Sequence, residues 1–143
     1  MTSLTLVRRI KARPSIVFDL LVTAEGIAQW WGPDAGPVLF AKSDPRVGGR
    51  YQLRFRRLVG DEFETSGEFL EVTPPERVRM TWQWAGDTQA SLIEMTLRPV
   101  PEGTELTFTQ SRLPDEATAR GHEKGWSGSL DKLEALFAGG ADA

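Results

Sequence analysis

Cysteine is absent from the 143-residue sequence, and histidine occurs only once, as His122. Disulfide bonds, thiolate metal ligands and a cysteine nucleophile are therefore excluded. A single imidazole cannot build a metal site that needs two or three histidines, and any histidine-dependent acid–base reaction must use His122. The sequence implies no metal ion and no cofactor.

The sequence also lacks an apolar run near the ~18 residues that a membrane span needs, and its first residues lack the apolar stretch of a signal peptide. The formal net charge is -3 and the pI is about 5.2, which is the wrong sign for a protein that neutralises phosphate groups. We therefore expect a cytoplasmic protein with no nucleic-acid partner and no membrane partner. A chain of this length buries about 68–70% of its unfolded surface around one core, so we expect residues 1–143 to form a single domain.

The first part of the sequence predicts one strand followed by two helices. Apolar and polar residues alternate over residues 3–11, which is typical of a half-buried strand. Pro14 suits the first turn of a helix, and apolar residues at helical spacing follow it. Thr23 is a suitable N-cap for a second short helix, which we expect to run to Trp31 and to end at Gly32.

Six further strands and one long helix are predicted after residue 36. The turns between these strands are too short to contain crossover helices, so the strands should pair as an antiparallel meander. Asp115 can cap a final helix that extends to Phe137. The predicted strands are 37–42, 49–58, 62–72, 77–84, 91–99 and 104–111.

The expected fold is α+β, with the element order βααββββββα. A curved seven-stranded antiparallel sheet should grip the C-terminal helix on its concave face, because this arrangement buries the apolar side of both. On the outer face, the register should place Arg54 or Arg56 opposite Glu64 or Glu68. We therefore expect solvated ion pairs between these strands, not a nucleic-acid patch.

Short motifs with a familiar spacing follow one another along nearly the whole chain. They are Ile10-x-Ala12-x-Pro14-x-x-Val17-Phe18, Trp30-Trp31-Gly32-Pro33, Gly48-Gly49-Arg50-Tyr51, Gly67-Glu68-Phe69-Leu70-Glu71-Val72-x-Pro74-Pro75-Glu76-Arg77-Val78, Gly103-Thr104-x-Leu106 and His122-x-x-Gly125-Trp126-x-x-x-Leu130-x-x-Leu133.

With these motifs the sequence resembles the START-like (SRPBCC) superfamily, in the branch related to the activator of the 90-kDa heat-shock protein ATPase. The resemblance implies a helix-grip fold. Members of this superfamily bind lipids, polyketides, hormones or aromatic compounds, and some are cyclases or hydrolases, so the fold leaves the function open. Gln110 stands where this branch often has a histidine, which removes a titratable group there and leaves a polar one.

Aromatic residues and methionines are expected where the sheet and the last helix face each other. Such residues at inward positions often fill a core. A strongly curved sheet around one helix is, however, hard to fill with side chains, and apolar clefts with a few polar groups are the usual form of ligand sites. We therefore predict a cavity that binds a small hydrophobic or aromatic molecule. The candidate binding residues are Trp31, Phe55, Phe69, Met80, Trp82, Met95, Phe108, Gln110, His122, Trp126 and Leu130.

The last helix carries two further signals. Gly121, Gly125 and Gly128 lie on neighbouring positions of the helix wheel, and each lowers stability by about 0.5–1 kcal/mol relative to alanine in a helix interior. We interpret them as widening the mouth of the cavity, unless residues 115–121 form a loop. His122, one turn before Trp126, offers one donor and one acceptor to a ligand, although it could instead bind a loop carbonyl.

Three alternatives remain open at this stage. Residues 30–33 could gate the cavity or form a buried helix terminus. A cyclase or hydrolase could use His122 together with a pocket Asp or Glu within about 3 Å of the imidazole, or joined to it through one water. A co-chaperone-like protein that regulates a heat-shock ATPase would instead make contact through the outer face of the sheet.

Overall fold

The computed structural model describes residues 2–32, 34 and 36–138, and its element order confirms the predicted βααββββββα fold. Most strand ends differ from the predicted ones by one or two residues. The elements are β1 (Thr2–Ile10), α1 (Pro14–Val22), α2 (Ala24–Ile27), β2 (Val38–Ser43), β3 (Arg50–Arg56), β4 (Glu62–Thr73), β5 (Arg77–Trp84), β6 (Ser91–Val100), β7 (Gly103–Leu113) and α3 (Glu116–Ala135).

The seven strands form one antiparallel sheet in the order β1-β7-β6-β5-β4-β3-β2. Consecutive strands from β2 to β7 are neighbours, as expected for a meander, and β1 completes the sheet beside β7. The sheet curves around α3, so the predicted helix-grip architecture is confirmed.

The start of α3 lies where the sequence predicts it. The Asp115 carboxylate accepts a hydrogen bond of 2.7 Å from the backbone N–H of Thr118, which satisfies one of the free donors at the helix N-terminus. The helix includes residues 116–121, so the alternative that this segment is a loop is wrong. All three glycines of interest therefore lie within α3.

The second helix is shorter than predicted. α2 begins after Thr23, whose side chain accepts from the N–H of Gly26, and ends at Ile27. The expected continuation to Trp31 is wrong, because the N–H groups of Gln29 and Trp30 bond to the carbonyls three residues earlier, those of Gly26 and Ile27, and the chain tightens into a turn. This turn directs both indole rings into the core.

On the outer face of the sheet, β3 and β4 pair in the predicted register, but the charged side chains contact other partners than predicted. Arg54 lies opposite Glu64, as expected. The expected ion pair does not form within the described chain, because the Arg54 guanidinium lies 5.9 Å above the ring of Phe40 and Glu64 accepts from Gln52 at 3.0 Å. None of the described helices has both the length and the apolar character needed to cross a membrane.

Candidate ligand cavity

A cavity of about 470 Å³ lies between α3 and the β3–β5 part of the sheet. Its volume falls within the range of about 300–1,000 Å³ that is usual for small-molecule sites. The wall is formed by three strands, the first half of α3 and the segment after α2. The lining residues are Trp31, Gly32, Asp34, Phe55, Arg57, Phe63, Thr65, Trp82, Trp84, Gly121, His122, Lys124, Gly125, Trp126 and Ser129.

Aromatic rings make up most of this wall. Trp31 meets Trp126 edge to face, with ring centroids 5.2 Å apart. Trp82 and Trp84 meet in the same way at 4.6 Å, and Trp82 also contacts the imidazole of His122 at 5.1 Å. Rings packed edge to face present both ring faces and ring edges, which form apolar surfaces against which another aromatic ring can pack. Such surfaces suit a flat apolar ligand.

Five of the candidate residues are brought together around the cavity: Trp31, Phe55, Trp82, His122 and Trp126. Five others lie in the packed core and do not line it. These are Phe69, Met80, Met95, Phe108 and Leu130, each with no exposed surface. Phe108 nevertheless packs against Trp126 at 4.7 Å between ring centroids, so part of the core supports the cavity wall from behind.

Several wall residues were absent from the candidate set. Phe63 pairs with Phe55 across two strands, with ring centroids 5.8 Å apart. Trp84 lies two residues beyond Trp82 on the same side of β5, and strand alternation could have identified both residues. The exposed Arg57 and Lys124 at the rim carry no comparable signal in the sequence, because their positions depend on where the cavity opens.

Gln110, the eleventh candidate, lies behind the wall, at the centre of a buried hydrogen-bond network. Its Oε1 accepts from Trp126 Nε1 at 2.9 Å and lies 3.0 Å from Nδ1 of His122. Its Nε2 donates to Ser91 Oγ at 2.8 Å, and that hydroxyl donates to the Trp82 carbonyl at 3.0 Å. The amide is fully buried and holds two cavity residues in place.

His122 is half-buried, and burial lowers the pKa of its imidazole below the usual value of 6.5, while the negative charge of Asp87 acts in the opposite direction. The neutral form therefore predominates at neutral pH. Among the described residues, the hydrogen-bond partner of its ring is the amide of Gln110 and not a carboxylate. The part of the chain that the structure describes also contains no group of three or more His, Asp or Glu side chains placed to hold a metal ion.

Two indole N–H groups of the wall lack a hydrogen-bond partner among the described residues. Nε1 of Trp31 and Nε1 of Trp82 are shielded from solvent and make no hydrogen bond within the described chain. A buried donor without an acceptor destabilises a protein by roughly 1–3 kcal/mol. Two such donors therefore lower the stability of this aromatic wall.

The segment after α2 is held against α3 by hydrogen bonds. Lys132 Nζ donates to the carbonyls of Trp31 at 3.1 Å and Asp34 at 2.8 Å, and Ser129 Oγ donates to the carbonyl of Gly32 at 2.8 Å. Trp30 is anchored by a 2.7 Å bond from its Nε1 to the carbonyl of Leu20. These contacts favour a fixed wall over a gate for residues 30–32, and Pro33 lies outside the described residues.

A curved antiparallel sheet closed around a C-terminal helix, with an aromatic cavity between them, defines a helix-grip protein. The chain belongs to the Activator of Hsp90 ATPase homolog 1-like protein family, whose sequence model matches residues 11–138. The family resemblance carried by the sequence motifs is thereby confirmed. No curated protein matches the chain.

Solved structures of similar proteins share the fold over almost their full length. The AHSA1 protein of Silicibacter pomeroyi is 28% identical, with a TM-score of 0.85 over 96% of this chain and 98% of that chain. Protein CV1439 of Chromobacterium violaceum is 29% identical, with a TM-score of 0.84 over 95% of this chain and 97% of that chain. The AHSA1-like protein of Aeromonas hydrophila, at 20% identity and a TM-score of 0.81 over 99% of this chain and 97% of that chain, supports the fold alone.

Proposed function

We propose that the protein binds a small hydrophobic or aromatic molecule, without forming a covalent bond to it, in the cavity between α3 and strands β3 to β5. The observation that carries this proposal is the aromatic-walled space of about 470 Å³, which remains open although the rest of the core is closely packed. An apolar space of this size that contacts water favours occupation by an apolar molecule, because binding removes both surfaces from water.

The candidate residues have two different roles in this proposal. Trp31, Phe55, Trp82 and Trp126 contact the ligand directly, and His122 supplies a polar contact. Gln110 and the core residues behind the wall keep these side chains in position. This second group consists of Phe69, Met80, Met95, Phe108, Leu130 and Gln110.

The cyclase or hydrolase alternative receives no support from the geometry around His122. Acid–base chemistry of that type needs a carboxylate that binds the imidazole directly or through one water. In the described chain Nδ1 bonds to an amide, and Asp87 acts on the ring through its charge alone, while its carboxylate accepts from the backbone N–H of Trp84 at 3.1 Å. Binding is therefore the function that the site supports best.

The family description raises a second candidate function, which is contact with a heat-shock ATPase. Such a partner would use the outer face of the sheet and not the cavity. An ATPase stimulation assay with the chaperone tests it. Substitutions that fill the cavity should leave any stimulation unchanged, which separates this function from ligand binding.

The test of ligand binding is a titration of the folded protein with naphthalene and 2-methoxynaphthalene, followed by tryptophan emission. We expect dissociation constants in the micromolar range at best, since 1 μM corresponds to about -8 kcal/mol. The decisive variant is Gly121→Leu. A Cβ added at Gly121 meets no atom within 4 Å, and Gly121 lines the cavity, so a leucine there should begin without a clash and take up space at the wall.

The matched control is Ala117→Leu, which adds the same side chain to an exposed position one turn earlier on α3. We expect Gly121→Leu to weaken binding at least tenfold and Ala117→Leu to leave it unchanged. Equal affinities in both variants, or no binding by the native protein, would contradict the proposed function.

A further inference from the structure

The hydrogen-bond network behind the cavity contains one donor whose direction is fixed by chemistry. An indole nitrogen carries a hydrogen and has no lone pair in the ring plane, so it can only donate. Trp126 Nε1 lies 2.9 Å from the side-chain oxygen of Gln110. The atom that faces the indole must therefore be the amide oxygen, and the amide nitrogen must point the other way.

The other end of the amide supports the same orientation. The amide nitrogen of Gln110 lies 2.8 Å from Ser91 Oγ, and the Ser91 hydroxyl uses its single hydrogen in a bond to the Trp82 carbonyl. Ser91 Oγ is thus free to accept from the amide N–H. Both ends of Gln110 are satisfied in one orientation, and reversing the amide would leave two donors facing each other at Trp126.

The orientation of Gln110 determines which nitrogen of His122 carries the proton. Nδ1 lies 3.0 Å from the same amide oxygen, which can only accept. Nδ1 must therefore be the N–H donor, and in a neutral imidazole Nε2 is then the acceptor. Nε2 forms no hydrogen bond to a described residue. Because it is not among the buried, unpartnered polar atoms of the described chain, Nε2 has accessible surface and can accept a hydrogen bond from a ligand.

We propose that the cavity selects aromatic ligands that carry a hydrogen-bond donor, such as a phenolic hydroxyl group, and that this group donates to Nε2 of His122. This inference rests on the proposed function and specifies the chemical class of the ligand. His122 belongs to the wall and contacts Trp82 edge to face, so a flat ligand against the indole lies beside an unpartnered acceptor.

A hydroxyl group fits this wall better than a carbonyl or an ether group. Its hydrogen satisfies Nε2, whereas an ether or carbonyl oxygen would face the lone pair of Nε2 with a second lone pair. The donor hydrogen is therefore the group that should distinguish a hydroxyl ligand from its ether or carbonyl analogue.

The first test reads the tautomer in the free protein and needs no ligand. His122 is the only histidine, so ¹⁵N-histidine labelling gives one pair of ring signals. At a pH above the usual histidine pKa of about 6.5, we expect a pyrrole-type shift for Nδ1 and a pyridine-type shift for Nε2. A protonated Nε2, or averaging between the two tautomers, would overturn the inference.

The second test compares 2-naphthol with 2-methoxynaphthalene, which share the ring system and differ in the donor hydrogen. We expect 2-naphthol to bind about two- to tenfold more tightly, the range of one net hydrogen bond. The preference should disappear in His122→Phe, which keeps an aromatic ring and removes the acceptor. The readout is the ratio of the two affinities within each protein, because the substitution also changes the cavity wall.

The third test uses the variant Gln110→Glu, which should reverse the expected preference while keeping the shape of the network. Gln110→Glu retains an acceptor for Trp126 and His122, and its negative charge favours the protonated imidazole. Nε2 then becomes a donor, so 2-acetylnaphthalene, whose carbonyl accepts, should gain affinity relative to 2-naphthol. The ¹⁵N spectrum of the variant shows whether the ring has taken up the second proton before the two ligands are compared.

The outcomes separate this inference from the function on which it rests. If the native protein binds both naphthalenes equally, or prefers the methoxy compound, the inference is wrong and the binding function stands. If neither compound binds and naphthalene also fails, the binding function is wrong and the inference falls with it. If Gln110→Glu is protonated at Nε2 but shows no change of preference, His122 does not contact the ligand.

Discussion

The two halves of the sheet contribute to the molecule in different ways, although large apolar residues predominate on the inward faces of both. On the side of β1 and β7, α3 lies close to the strands, and Arg8 on β1 binds Asp131 at 2.6 Å and Glu134 at 2.7 Å. Phe108 and Leu106 are fully buried there. Over β3 to β5 the space beneath the first half of α3 remains as the cavity.

This difference shows what an inward-facing residue does and does not imply. Strand alternation determines the face on which a side chain lies. Whether that side chain is packed or borders open space depends on the distance to the helix, which is set by the curvature of the sheet and by long-range contacts. The ion pairs on β1 hold the second half of α3, whereas its first half contains Gly121 and Gly125 at the cavity wall.

The largest expected effect is on the stability of the protein, which should fall more after a substitution in the packed half of the sheet than after one in the open half. Phe108→Ala should lower the free energy of unfolding by about 3–5 kcal/mol, because it leaves a void in a core with no exposed surface. Trp84→Ala should lower it by clearly less, since Trp84 is partly exposed and borders the cavity. Urea unfolding measures both. Equal losses would show that the two halves are packed alike.

Ligand affinity should fall more after a substitution at the cavity wall than after one in the packed core, which is the reverse of the order expected for stability. Trp82→Ala removes part of the cavity wall and should weaken binding of 2-methoxynaphthalene by about 1–3 kcal/mol, the scale of one buried apolar side chain. Met95→Ala should leave the affinity nearly unchanged at a temperature where the variant is folded, because Met95 does not line the cavity. Isothermal titration calorimetry measures both affinities, and a larger loss in Met95→Ala would reverse the assignment of the two residues.

A smaller effect concerns the glycines of α3. Gly121→Ala should raise the free energy of unfolding by roughly 0.5–1 kcal/mol, because alanine is the better helix former and the added carbon meets no atom within 4 Å. Thermal unfolding measures the change. A destabilised Gly121→Ala variant would show that glycine is needed there for the backbone and not for the open space beside it.

The smallest effect is the pH dependence that His122 contributes. Since burial lowers its pKa in the folded protein below 6.5, the unfolded chain binds the proton more readily between the two pKa values, and stability rises with pH across that window. The stabilising contribution of neutral His122 to the free energy of unfolding is therefore complete above about pH 6.5. It is lost as the pH falls towards the pKa of His122 in the folded protein. It appears as the difference between the native protein and His122→Phe in urea unfolding at several pH values. An equal acid response in both proteins would contradict it.

Most of the fold was predictable because its signals are local. Thr23 and Asp115 cap the helices predicted for them, and the alternation in β5 places Val78, Met80 and Trp82 inside. The register of β3 and β4 also follows from alternation, which pairs Phe55 with Phe63. The end of α2 was not predictable, because the burial of Trp30 and Trp31 in the core overrides the helical continuation.

The candidate site was only partly predictable from the sequence. The pattern identified Trp31, Trp82 and Trp126, which line the cavity, but it gave Met80 and Met95 equal weight although both are packed. The relation between Gln110 and His122 was also not accessible. Gln110 lies on β7, whereas His122 and Trp126, which both contact its amide oxygen, lie on α3. Contacts between side chains of different elements can be identified only from their positions in the folded protein.

The central claim, that the open half of the grip binds a flat aromatic molecule, is tested most directly by the indole N–H signals of the five tryptophans. A ¹H–¹⁵N spectrum of the protein during titration with naphthalene should show saturable shifts for Trp31, Trp82, Trp84 and Trp126, which line the cavity. Trp30, whose Nε1 is bonded to the Leu20 carbonyl away from the lining, should move least. Unchanged signals for all five tryptophans at saturating naphthalene, or a response strongest at Trp30, would contradict the account.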